Sequence, residues 1–224
     1  MKTIIISDLH LGSDVCQAKD LESFLDHIDK RCERLILNGD VFDSMDFRRL
    51  KKHHWNVLSQ LRRISDKIEV IWVCGNHDGT ADVVSHLLGI TVVDEYQFTS
   101  GDKEVLVLHG HVFDNFIAKR PIITALADTF YRLLQQIDKS HWVARKVKRG
   151  SKVYLRNSEN IRVKSIRYAM EKGCDVVCCG HTHHAVEDLT QAVHYFNSGC
   201  WTEKNCTFLE VHHGEVSLKT FTET

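Results

Sequence analysis

The sequence predicts an α/β domain built on a largely parallel sheet, and three observations predict it. Short β-branched runs recur, and each leads into a polar cluster. Between the first three of these runs lie apolar stripes at helical spacing. The length, 224 residues, suits a single domain with its own core. Strand, helix, strand alternation implies crossover units, and ligands in such sheets collect at the carboxyl ends of the strands.

The expected strands are 3–6 before Ser7-Asp8, 35–37 before Asn38-Gly39-Asp40, 70–73 before Cys74-Gly75-Asn76, 105–108 before His109-Gly110, and 175–179 before Gly180-His181. Leu21, Phe24, Leu25 and Ile28 mark the first helix; Trp55, Val57, Leu58, Leu61 and Ile64 mark the second. The tail from His184 reads differently. Apolar runs at 185–189, 193–197, 206–211 and 216–221, separated by turn residues such as Gly199 and Gly214, predict an antiparallel meander.

One stretch breaks the pattern. Between Lys119 and Lys172 fourteen Lys and Arg face four Asp and Glu, in a chain whose formal net charge is −1. It reads as a basic helical insertion at about 114–172 within a single domain spanning 1–224. Pro121 suits a first helical position, followed by Ile122, Ile123, Leu126, Phe130, Leu133, Leu134 and Ile137; Ile161, Val163, Ile166 and Tyr168 support a second helix. A basic block in an otherwise acidic chain suggests an anionic partner, although a charge run is also the usual mark of a solvated helix face.

Eight cysteines could pair, but a chain with a core of this size needs no staples, so free thiols are expected. The apolar start is too short for a signal peptide or a membrane span, which predicts a cytoplasmic protein with membrane contact only at its surface.

Five clusters carry the chemistry: Asp8-x-His10, Gly39-Asp40-x-x-Asp43, Gly75-Asn76-His77-Asp78, His109-Gly110-His111 and Gly180-His181-Thr182-His183. Carboxylate and amide oxygens combined with imidazoles, and no thiolate, suit Mn²⁺, Fe or Zn better than Ca²⁺. Using all of them takes two ions. Residues at i and i+2 of an extended segment point the same way, so Asp8 with His10, and His181 with His183, are each expected to converge. His53, His54, His86, His194, His212 and His213 read as core or solvated residues; His111, His141 and His184 stay undecided.

In this order the five motifs resemble the calcineurin-like metallophosphoesterase superfamily. The resemblance covers Asp8 to His183 and implies a sandwich of two mixed β-sheets flanked by helices, here with the inserted helical cap. It implies that Asp8, His10 and His183 bind one metal, that Asn76, His109 and His181 bind a second, and that Asp40 bridges them. Two cations about 3.5–4 Å apart clamp a phosphoryl group and activate water. His77, oriented by Asp78, is then expected to stabilise charge or protonate the leaving oxygen, with Asp43 supporting the metal ligands.

Within the superfamily the Asp8-Leu9-His10-Leu11-Gly12 start, the run from Leu108 to Asp114 and the basic insertion resemble the UDP-2,3-diacylglucosamine hydrolases, Mn²⁺ enzymes acting at a membrane surface. That group carries Arg where His77 stands and Asp where His111 stands. Lys119, Arg120, Arg145, Lys148, Arg149 and Lys152 are candidate diphosphate contacts. Three readings remain open: pyrophosphate hydrolysis of a nucleotide-linked lipid, a phosphodiesterase or nuclease acting on another nucleotide or nucleic acid, and a non-catalytic scaffold.

Overall fold

The computed structural model describes residues 1–28, 32–79, 85, 88–114 and 152–222. Eleven strands form two mixed sheets among these residues. The first sheet has the order β11-β10-β1-β2-β3-β4. Its members are β1 (Lys2–Ile6), β2 (Cys32–Asn38), β3 (Glu69–Val73), β4 (Thr91–Val93), β10 (Thr207–His212) and β11 (Glu215–Thr220). From β1 to β4 the pairing is parallel, while β10 joins β1 antiparallel and β11 joins β10 antiparallel. The second sheet has the order β5-β6-β7-β9-β8, made of β5 (Glu95–Ser100), β6 (Lys103–Leu108), β7 (Val176–Cys179), β8 (Val186–Asp188) and β9 (His194–Asn197).

The apolar runs are continuous because both faces of the first sheet are buried. Alternate residues divide between two cores. Ile4, Ile6, Leu35, Leu37 and Trp72 face outward to helices α1 (Ala18–Asp26) and α2 (Lys52–Ser65). Ile5, Ile36, Ile71 and Val73 face inward, where they meet Val105, Val107, Val176, Cys178 and Phe196 of the second sheet. Each such side chain contributes about 1.5–3 kcal/mol on leaving water.

Several expectations are corrected in detail. The tail is not one meander: β8 and β9 form a hairpin in the second sheet, where β9 also runs parallel to β7, and β10 and β11 form a hairpin in the first. Turn residues between apolar runs mark hairpins but do not say which sheet takes each one. Trp55 lies on the outer face of α2 and is 46% exposed, while His54 and Gln60 take the buried positions. His54 accepts the Lys51 N–H at 3.0 Å, which ties down the start of α2. None of the eight cysteines is joined in a disulfide.

The chain divides into two compact units, Met1–Gly110 with Ile166–Thr224, and His111–Ser165. The first expected helix of the insertion, and Lys119, Arg120, Arg145, Lys148 and Arg149, lie outside the described residues. Helix α3 (Lys152–Glu171) contains the second expected helix. Its buried positions are Ile161, Ser165 and Ala169, one turn apart, whereas Val163 is exposed. Among the described residues no helix is long and apolar enough to cross a membrane.

Phe196 is fully buried between the sheets, so Phe196→Ala is expected to cost about 3–5 kcal/mol of stability in urea unfolding. A change within about 0.5 kcal/mol, as at surface positions, contradicts this account of the core.

Candidate metal centre

Both sheets deliver their functional loops to the same place. Asp8 and His10 follow β1, Asp40 follows β2, Asn76 and His77 follow β3, His109 follows β6, and His181 and His183 follow β7. All belong to the first compact unit. Among the described residues two groups bring ligand atoms within 4.8 Å of one another: Asp8, His10 and His183, and Asp40, His109 and His181.

Asp8 and His10 converge, but not by strand alternation, whereas His181 and His183 turn to different groups. Asp8, His10, Asp40, His181 and His183 all have positive φ, between 49° and 64°, where L-residues are rarely found. Each sits beyond its strand in a left-handed turn that aims the side chain inward. Conformations of this kind cost about 1–3 kcal/mol each and persist only where the surroundings over-determine them.

Those surroundings are visible. Gly75 packs so closely on Asp40 that a β-carbon there would lie 2.2 Å from the Asp40 amide nitrogen and Oδ1. At Gly180 a β-carbon would lie 2.6 Å from Ser7 Oγ and 2.7 Å from Asp8 Oδ2. These motif glycines serve close approach, with no positive φ involved at either. Two buried asparagines, at the ends of β2 and β9, tie the loops together. Asn38 Nδ2 donates to the carbonyls of Leu108 at 3.2 Å and Cys178 at 3.4 Å. Asn197 Nδ2 donates to the Gly180 carbonyl at 2.6 Å and to Thr182 Oγ1 at 3.1 Å. Neither was a sequence-predicted site residue; a polar residue closing a buried β-strand is the signal that could have marked them.

Asp8 and Asp40 divide their oxygens in the same way. Asp8 Oδ2 accepts the Ser7 hydroxyl at 2.5 Å and the His181 N–H at 3.0 Å, which leaves Oδ1 facing His183 Nε2 at 3.1 Å and His10 Nε2 at 4.0 Å. Asp40 Oδ1 accepts the His77 N–H at 3.0 Å, and Oδ2 faces His109 Nε2 at 3.4 Å, His10 Nε2 at 3.8 Å and His77 Nε2 at 4.0 Å. Asp40 Oδ2 therefore stands between the two groups, where a bridging ligand belongs. His10 and His183 bring their Nε2 atoms to 3.2 Å of each other. Paired imidazole nitrogens and spare carboxylate oxygens aimed at common points form a donor set that fits two divalent cations.

The electrostatics agree. Burial alone would raise the Asp8 carboxyl, but His183 and His109 bring it down to about 2. Burial is likewise outweighed at Asp40, where His109, His10 and His77 hold the carboxyl well below its ordinary range. Burial would lower His109, yet Asp40 and Asp8 raise it to about 10. Its Nδ1–H donates to the Asn38 carbonyl at 2.7 Å, which presents Nε2 to Asp40. Asp43, held near 2 against burial by His10 and Arg49, sits 3.5 Å from His10 Nδ1.

Two expected site residues are placed differently. The ring of His77 is not oriented by Asp78: its Nδ1–H donates to the Asp43 carbonyl at 2.9 Å. Asp78 is buried and accepts the N–H groups of Phe42 at 3.0 Å, Trp72 at 3.2 Å and Gly75 at 2.9 Å, which makes it the organiser of the loop after β3. Burial, and then the Asp40 charge, raise its carboxyl. Sequence adjacency to His77 suggested a pairing that this geometry does not make. Asn76 is exposed, between Gly75 and His77, the two residues whose backbone rests on Asp40. Lys152 is exposed at the start of α3, and His111 belongs to the second unit.

A family model described as calcineurin-like phosphoesterase matches residues 1–185. No curated protein matches the chain. Among solved structures, a novel archaeal phosphodiesterase is 16% identical, with 99% of this chain and 100% of that one covered and a TM-score of 0.53. Yfce, a phosphoesterase from E. coli, is 18% identical, with 94% and 87% covered and a TM-score of 0.53. A Vps29 single mutant from Entamoeba histolytica is 15% identical, with 99% and 98% covered and a TM-score of 0.51. At these identities the likenesses speak to fold alone.

Asp40 and Asp8 draw His109 up to about 10, so a cation taken up at its Nε2 at pH 7 would have to displace a proton. Cation binding at pH 7 is therefore expected to release protons and to tighten as pH rises toward that value. Calorimetry in buffers of different ionisation enthalpy checks this, and identical apparent enthalpies contradict it.

Proposed function

The chain belongs to the calcineurin-like phosphoesterase family and is a metal-dependent phosphoester hydrolase, and we propose that it cleaves phosphodiester and pyrophosphate bonds with two divalent cations shared through Asp40. The observation that carries this reading is the division of oxygens in Asp8 and Asp40, one on a loop N–H and one aimed at the imidazoles. Asp8, His10 and His183 would hold one ion; Asp40, His109 and His181, with Asn76 at the rim, would hold the other. Two such ions would supply Lewis acidity to a phosphoryl group and lower the pKa of a water held between them.

The chain's own residues do the rest. Asp43 turns His10 so that Nε2 faces the centre, and the Asn38 carbonyl does the same for His109. His77 stands at the rim with its side chain 39% exposed, Nδ1–H anchored on the Asp43 carbonyl and Nε2 turned toward Asp40. From there a protonated Nε2 donates to a phosphoryl oxygen or hands its proton to the leaving oxygen.

The narrower substrate we propose is a nucleotide-diphospho lipid of the UDP-2,3-diacylglucosamine kind, hydrolysed to UMP and a lipid 1-phosphate with Mn²⁺ as the working metal. It is supported by the Asp8 to Gly12 run, the Leu108 to Asp114 run and the basic composition of 119–172. On this reading the protein works at the cytoplasmic face of a membrane without spanning it. The presence of His77 favours a second reading, another nucleotide diester, because His is the general superfamily form at that position. Hydrolysis of UDP-2,3-diacylglucosamine beside bis-p-nitrophenyl phosphate, in detergent with Mn²⁺, separates the two: release of UMP supports the lipid, and turnover of the generic diester alone contradicts it.

Asp40→Asn is expected to abolish hydrolysis, since the amide cannot serve two cations; wild-type turnover with two bound ions would sink the assignment. His77→Ala is expected to keep both ions and slow turnover by about 10²–10⁴-fold, the range typical of lost proton transfer. Loss of a cation in that variant would make His77 a ligand instead.

A further inference from the structure

Resting on the two-cation reading above, we propose that Arg49 is a positioning residue for the Asp8, His10 and His183 cluster, acting through Asp43. Arg49 ends the short 3₁₀ turn Phe47–Arg49. Asp46 caps that turn by accepting the Arg48 N–H on Oδ1 at 3.3 Å. Phe47 seats it against the domain, its ring 5.2 Å from that of the fully buried Phe42. From this seat Arg49 Nη1 lies 2.6 Å from Asp43 Oδ2 and donates to Ser44 Oγ at 3.1 Å.

The other oxygen of the same carboxylate, Asp43 Oδ1, is the one that sits 3.5 Å from His10 Nδ1. A carboxylate clamped at one end by a planar guanidinium is fixed in rotation, so its second oxygen keeps the proton on His10 Nδ1. The Nε2 lone pair of His10 is then directed at Asp8, Asp40 and His183. Partners of this kind, one step removed from a metal, tune its affinity by about 10–100-fold.

His109 is oriented by a different device, a 2.7 Å hydrogen bond to the buried backbone carbonyl at the end of β2. The two clusters therefore stand on unlike supports. One depends on an ion pair whose guanidinium side chain is 40% exposed and open to screening by salt; the other depends on a backbone acceptor that salt does not reach. Loss of Arg49 acts on one cation and spares the other.

Calorimetric titration of metal-stripped protein with Mn²⁺, at low and high ionic strength, tests this without reference to turnover. Wild type is expected to bind two ions. Arg49→Ala is expected to hold one at wild-type affinity and the other about 10–100-fold more weakly. Arg49→Lys, which keeps the charge without the planar guanidinium, is expected to recover part of the loss. High salt is expected to weaken the sensitive ion in wild type and to change it less in Arg49→Ala. Asp43→Asn, which keeps the shape of the side chain and removes its charge, is expected to reproduce the one-ion defect. Unchanged affinities in Arg49→Ala, or an equal loss of both ions, overturn the proposal. Failure of wild type to bind two ions would instead overturn the two-cation reading on which it rests.

Discussion

Two carboxylates, Asp8 and Asp40, are buried with almost no contact with solvent, and a buried charge is tolerated only where it is paired and hydrogen-bonded. Much of the local structure answers that requirement. One oxygen of each is neutralised by the protein itself, through the His181 amide and Ser7 hydroxyl for Asp8 and through the His77 amide for Asp40. The other oxygen of each is left facing imidazole nitrogens. The loops that supply those amides must pass so close that no side chain fits, which accounts for Gly180 against Asp8 and Gly75 against Asp40. The left-handed backbone of five candidate ligands is the strain that this convergence imposes.

The same requirement explains why two sheets are needed. The first sheet brings Asp8, His10, Asp40 and His77 on the loops after β1, β2 and β3; the second brings His109, His181 and His183 after β6 and β7. The distance between these halves is set by the core between the sheets, where Ile5, Ile36 and Ile71 meet Val105, Val176 and Phe196. Asn38 crosses from one sheet to the loop ends of the other and accepts the His109 ring on its carbonyl. Packing and chemistry are therefore coupled: a shift of one sheet against the other would separate Asp40 from His109.

Much of this was legible in the sequence, because short β-branched runs ending in Asp, His and Asn clusters announce strands that feed a site. Motif order set the candidate ligands just after strand ends, where the structure has them. What escaped was local geometry. Strand alternation foretold that Asp8 and His10 converge, but the backbone reaches that result by left-handed turns beyond the strand, which no periodicity records. Sequence adjacency paired Asp78 with His77, whereas the buried carboxylate binds three N–H groups of its own loop and neighbours. Arg49 was invisible because its importance lies in two contacts, with Asp43 and through it His10, and no motif marks it. Turn residues marked the hairpins of the tail but could not divide them between the two sheets.

The central claim is that Asp40 joins two cations into one centre. Electron paramagnetic resonance of metal-stripped protein titrated with Mn²⁺ tests it most directly. The account predicts that the spectrum at two equivalents is that of an exchange-coupled pair, and that Asp40→Asn abolishes the coupling. A spectrum of isolated, uncoupled Mn²⁺ at every stoichiometry in the wild type would contradict it.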